Sequence, residues 1–143
     1  MMLLGPSGLE TPFVGMMLLT LLVWIYMYVR RLSWAAANPA QAQLITTPEK
    51  LAELVPEPIN WASNNLKNLF ELPVLFYAVC LYLMAANATD PIHVWCAWGF
   101  FVLRAAHSAV QCTVNILLLR FAIYFFASLC LWVMVVRVAA TVW

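Results

Sequence analysis

Long apolar runs alternate with short polar breaks along this chain, and the runs are similar in length. Residues 12–34, 58–86, 91–114 and 116–142 are each predominantly apolar. Each reaches the roughly 20 residues a helix needs to cross the hydrocarbon core of a bilayer. The pattern therefore predicts an all-α, integral membrane four-helix bundle. Pro12 suits a helix start, where a missing N–H leaves no bond unmade. Arg30 and Arg31 close the first run in a stop-transfer pattern, and no basic segment precedes it. We expect that helix to be retained rather than removed as a signal.

The connections are unequal. Residues 36–57 form the long polar stretch, with Asn38-Pro39, Thr46, Thr47, Glu49, Lys50, Glu53 and Glu57. A short surface helix is expected there from Pro48 to Leu54, with Thr47 as its N-cap. Asn87-Ala88-Thr89-Asp90 is a tight turn, and Asp90 with Pro91 reads as the cap and first position of the third helix. Asn87-Ala-Thr also matches a glycosylation sequon, but it lies too close to the membrane to be a good acceptor. The last connection, around Thr113 to Ile116, is equally short. Short connections make the second, third and fourth helices antiparallel neighbours. Arg30, Arg31 and Lys50 gather at the long loop. By the positive-inside rule that loop faces the cytoplasm and both termini face the other side, as expected of a multi-pass protein of a bacterial inner membrane.

Composition sharpens the reading. The 143 residues are 66% apolar and 9% charged, whereas soluble domains carry about 25% charged residues. One soluble core of this size could not enclose so much apolar surface. A net charge of +1 offers no basic surface for nucleic acid. Cys80, Cys96, Cys112 and Cys130 are widely spaced, with no CxxC pattern, and read as free, small apolar residues. Trp24, Trp61, Trp95, Trp98, Trp132 and Trp143 read mostly as interfacial anchors.

The charges that do enter the spans fall in stripes. Asn60, Asn64, Lys67, Asn68 and Glu71 share one face of the second helix. Arg104, His107, Gln111 and Asn115 share one face of the third, and Arg120 and Tyr124 lie one turn apart on the fourth. In an antiparallel bundle the three stripes meet at one depth. Lys67, Arg104 and Arg120 outnumber Glu71, an excess of about two positive charges at ordinary pKa values. Polar side chains also serve as hydrogen-bonding glue between membrane helices. Packing alone does not call for surplus cations at depth, however. The cluster fits an anionic ligand rich in hydrogen-bonding groups, with Glu71 free for an ammonium group or an arginine. His93 stands apart near the opposite interface, so no zinc site is expected, and no Walker, Rossmann, GxSxG or HExxH motif occurs.

These residues resemble the membrane-associated proteins in eicosanoid and glutathione metabolism, the MAPEG family, over most of the chain. Lys67-Asn68-Leu-Phe-Glu71 with Pro73 is similar to that family's basic-Asn-x-x-Glu signature. Arg104-Ala-Ala-His107, Arg120 and Tyr124 keep the spacing of its prostaglandin E synthase and microsomal glutathione transferase branch, and Arg30 and Ala37-Asn38-Pro39 stand in corresponding places. The resemblance implies a homotrimer with glutathione bound at each subunit interface. It further implies that Arg30, Lys67, Asn68, Glu71, His107, Arg120 and Tyr124 contact glutathione, that Arg120 stabilises the thiolate as the catalytic residue, and that Arg104 supports the site from behind. Four positions depart from the branch: Lys67 and Asn64 replace basic residues, usually arginine at the first, Gln111 replaces a tyrosine, and Phe121 stands where a serine is the proposed catalyst. These departures speak against prostaglandin isomerisation.

Two functions follow as expectations. One is a glutathione transferase or peroxidase acting on lipophilic electrophiles drawn from the bilayer. The other is a non-catalytic protein that binds lipid or assists a membrane-protein partner. An ion pathway fits less well, because the polar cluster lies at one side and does not run across.

Overall fold

Proline and capping residues mark where the helices of this chain begin. The computed structural model describes residues 7–142, which form α1 (Glu10–Ala37), α2 (Pro39–Ala42), α3 (Pro48–Leu54), α4 (Glu57–Leu69), α5 (Leu72–Ala85), α6 (Pro91–Cys112) and α7 (Leu117–Val142). No strand occurs among them. Trp143, read as an interfacial anchor, lies outside the described residues. Prolines open α2, α3 and α6 and sit in the first turn of α4 and α5. The Thr47 hydroxyl accepts from the Lys50 N–H at 3.3 Å and the Asp90 carboxylate from the His93 N–H at 2.9 Å, so each caps the helix that follows. The Asp90 carboxyl is held below the usual carboxylate range, first by that His93 N–H and further by Arg137.

Contacts along the rods fix their directions. Gly8 lies against Val94 and Gly15 against Phe101, so α1 and α6 run parallel. Asn65 meets Ser108 while Phe76 stacks on Phe100, so α4–α5 runs antiparallel to α6. Asp90 pairs with Arg137 and His107 packs on Tyr124, so α7 is antiparallel to α6 as well. A side chain at Gly15 would come within 2.8 Å of the Phe101 ring, so this glycine lets α1 and α6 approach. The result is an up-down-up-down bundle. One end carries α2, α3 and the α6–α7 turn; the other carries the α5–α6 turn.

By length and hydropathy, three rods can cross a membrane: Glu10–Ala37, the 29-residue α4–α5 rod and Leu117–Val142. The fourth, α6, has 22 residues, about 33 Å at helical rise. Its buried polar face holds down its hydropathy. Outward-facing Leu18, Leu22, Ile25, Val29, Leu118, Phe125, Phe126 and Val136 are all exposed in the isolated chain. Water tolerates no such surface, and lipid does.

The second rod differs from the continuous helix expected over 58–86. It breaks between Leu69 and Leu72, because Pro73 has no N–H for the Leu69 carbonyl and its ring crowds the preceding turn. Trp24 and Trp132 fall near the middle of α1 and α7 rather than at their ends, so depth along the rod does not fit anchoring for these two.

The core divides along α6. Its inward face reads His93, Ala97, Phe100, Arg104, His107, Ser108 and Gln111, all buried. Around Ala97 and Phe100 the neighbours are apolar: Phe76, Val79, Cys80, Leu83, Ala127, Leu131 and Met134. From Arg104 onward the same face is polar, towards the end that carries the long loop.

Candidate functional site

The polar half of α6 can exist inside the bundle only if its side chains find partners. Asn68 on α4 donates from Nδ2 to Gln111 Oε1 at 3.0 Å, and its backbone carbonyl accepts from Arg104 Nη2 at 2.7 Å. One turn away, Ser108 Oγ donates to Asn65 Oδ1 at 3.3 Å, and Asn65 Nδ2 reaches Cys112 Sγ at 3.5 Å. Arg104 is fully buried, and its guanidinium lies 5.1 Å from the centre of the Tyr124 ring. His107 packs on the same tyrosine, ring centres 5.6 Å apart.

On α7, Arg120 is aimed by the turn before it. Asn115 adopts φ +50°, a left-handed conformation that asparagine tolerates better than most residues. Its N–H bonds the Val110 carbonyl at 2.7 Å, and its Oδ1 accepts from Arg120 Nη1 at 2.6 Å. Asn115 was expected on the third helix; it belongs instead to the turn after it, because α6 stops at Cys112.

A cavity of about 190 Å³ opens between these elements, lined by Asn68, Glu71, His107, Leu117, Arg120, Phe121 and Tyr124. Five of the seven residues expected to contact glutathione thus meet in one space. Among the described residues the ion pairs are those of Asp90 with His93 and Arg137, so Glu71 and Arg120 have their charges free. Leu117 and Phe121 are 66% exposed and form an apolar rim.

Lys67 and Arg30 are elsewhere. Lys67 lies about 100° around α4 from Asn68. It lines a second cavity of about 630 Å³ with Arg31, Thr46, Thr47, Glu57, Asn60 and Asn64, beneath the α2–α3 segment. Arg30 stays on α1, where its Nη1 donates to the Tyr26 hydroxyl at 3.2 Å. Asn65 and Leu117 were not singled out from the sequence, and Arg31 was read there as a charge closing the first span rather than as part of a cavity. Asn65 carries a legible signal, since a polar residue four before Leu69 falls on the core face of α4, but only packing supplies Ser108 as its partner.

Helices of membrane-spanning character around a polar, charge-bearing cavity near one end define an integral membrane protein of the all-helical class. The MAPEG family is matched over residues 9–140, and the chain belongs to that family. The family includes glutathione-dependent transferases and non-catalytic members, and glutathione use is common in it. No curated protein and no solved structure matches the chain.

Proposed function

We propose that this protein is a glutathione-dependent transferase or peroxidase acting on lipophilic electrophiles that enter from the bilayer. The observation that carries the reading is the convergence of Asn68, Glu71, His107, Arg120 and Tyr124 from three helices on one cavity. Their chemistry suits glutathione: Glu71 for the ammonium group, Asn68 and Tyr124 for hydrogen bonds, Arg120 for the sulfur. A cation beside a thiol lowers its pKa and raises the thiolate fraction at neutral pH. Bound glutathione would supply the nucleophilic sulfur. The apolar rim of Leu117 and Phe121 suits an electrophile arriving from lipid.

The volume supports one more element of the reading. Small-molecule sites commonly span about 300–1,000 Å³, and this cavity holds about 190 Å³. One protomer therefore encloses only part of a tripeptide. A homotrimer with sites between subunits, as the resemblance implies, supplies the remainder, and Arg30 is free to meet a neighbour's ligand. Lys67 would reach a carboxylate from the adjoining cavity. We infer that α6 also crosses the bilayer, since its polar face is covered by its neighbours, and that the end bearing Arg30, Arg31 and Lys50 faces the cytoplasm.

Calorimetry of glutathione against detergent-purified protein tests the reading, with Arg120→Ala and Glu71→Gln beside the parent. Saturable binding that weakens in both variants supports it. No heat at millimolar glutathione overturns it. The second reading, a non-catalytic lipid-binding or accessory protein of the same fold, draws on Phe121 at the cavity and Lys67 outside it. Co-purified lipid or a stably bound membrane protein, in a chain that ignores glutathione, would favour it.

A further inference from the structure

The break between α4 and α5 lies beside the cavity, and its geometry sets where Glu71 goes. Pro73 removes the N–H that would bond the Leu69 carbonyl and disfavours helical backbone at the residue before it. Glu71 itself has φ −98° and ψ −105°, outside the helical well. On an unbroken helix, Asn68 and Glu71 would be aligned by the helical period. Across this break they are not, so something else must hold the two together.

The interruption also frees the Asn68 carbonyl, because Leu72 restarts the helix without bonding back to it. Arg104 Nη2 takes that carbonyl at 2.7 Å. Gln111, seven residues along the same face of α6, takes the Asn68 side chain at 3.0 Å. Asn68 is therefore gripped at backbone and side chain from one helix. Arg104 is fully buried, does not line the cavity, and keeps Nε and Nη1 without a protein partner. Its guanidinium carbon also lies over the Tyr124 ring, 5.1 Å from its centre.

We propose that Arg104 is a positioning residue that clamps the α4–α5 break through the Asn68 carbonyl, and so sets Asn68 and Glu71 on one side of the cavity against Tyr124 on the other. The consequence for ligand binding rests on the glutathione reading above; the clamp itself does not. A lysine keeps the charge and a donor for the carbonyl but loses the guanidinium group that lies over Tyr124. A methionine fills similar volume with no donor at all.

The test is amide hydrogen exchange across residues 70–75 of the full chain in detergent, without glutathione, for the parent, Arg104→Lys and Arg104→Met. Exchange in α7 and overall helicity serve as controls. The clamp requires exchange about tenfold faster or more in this segment of Arg104→Met, with α7 unchanged, and an intermediate rate in Arg104→Lys. Unchanged exchange in Arg104→Met, or loss of protection spread evenly over the bundle, overturns the proposal. Should Arg104→Met not fold, Arg104→Lys alone decides: faster exchange than the parent over residues 70–75 with α7 unchanged supports the clamp, and parent-like exchange there overturns it. A parallel glutathione titration should weaken in the same order. A parent that binds no glutathione removes the functional reading and leaves the exchange result standing.

Discussion

Replacing Asn115 separates two things that one residue does. Its backbone turns α6 into α7 at φ +50°, and its side chain holds Arg120 through a 2.6 Å bond from Nη1. Asn115→Gly keeps the backbone geometry and releases the arginine. Asn115→Ala releases it too and adds the strain of a left-handed conformation, roughly 1–2 kcal/mol. Arg120 is partly exposed, so the lost bond lies towards the low end of the range for charged partners, about 1.5 kcal/mol. An Arg120 that must be ordered by its ligand weakens binding by about 0.5–1.5 kcal/mol, a two- to tenfold rise in the dissociation constant. Calorimetry should therefore give both variants the same loss of glutathione affinity, while thermal unfolding in detergent should rank Asn115→Ala below Asn115→Gly. Parent-like affinity in Asn115→Gly would refute the idea that this bond aims Arg120. Equal stability of the two variants would refute the backbone argument.

Other outcomes follow from the same geometry. Phe76 is fully buried and stacks on Phe100 at 4.6 Å, so Phe76→Ala should lose about 3–5 kcal/mol, read by denaturant unfolding in micelles. Asn87 ends α5 at φ +51°, with the Asn87 and Ala88 N–H groups bonding the Met84 and Leu83 carbonyls. Asn87→Gly should be near neutral there, whereas Asn87→Val should cost about 1–3 kcal/mol, checked by melting temperature. The lowered Asp90 pKa means that its contribution is complete above the ordinary carboxylate value and is lost as pH falls through the folded value. The melting temperature of the parent should exceed that of Asp90→Asn by a constant amount from about pH 5 to 8, and the gap should close below about pH 4. A gap that persists in acid would assign the effect to something other than the Asp90 charge.

Much of the candidate site can be read before the fold is known. Asn68, Glu71, His107, Arg120 and Tyr124 are polar residues at helical spacing inside apolar runs, and a membrane span tolerates such residues only on an inward face. Lys67 shows the limit of that argument. Helical period leaves it about 100° from Asn68, at the edge of the stripe, where a long flexible side chain can face either cavity, and here it faces the one beneath the α2–α3 segment. Arg30 shows another limit, since whether it serves a neighbouring subunit is a property of an assembly and not of one chain's periodicity.

What the sequence alone determined is what depends on local pattern. Run length and hydropathy set the membrane character, prolines and capping residues set the helix starts, and the positions of the polar residues set which half of the bundle is wet. What only the tertiary structure decided depends on which atoms meet across helices. It assigned Arg104 to the Asn68 carbonyl, Ser108 to Asn65 and Asn115 to Arg120. It also turned the break at Glu71 into a wall of the cavity. The physical reason is that a backbone carbonyl freed by a proline has no sequence signature of its own. Its partner is whichever buried donor the packing brings within reach, and here that donor comes from a helix 36 residues away.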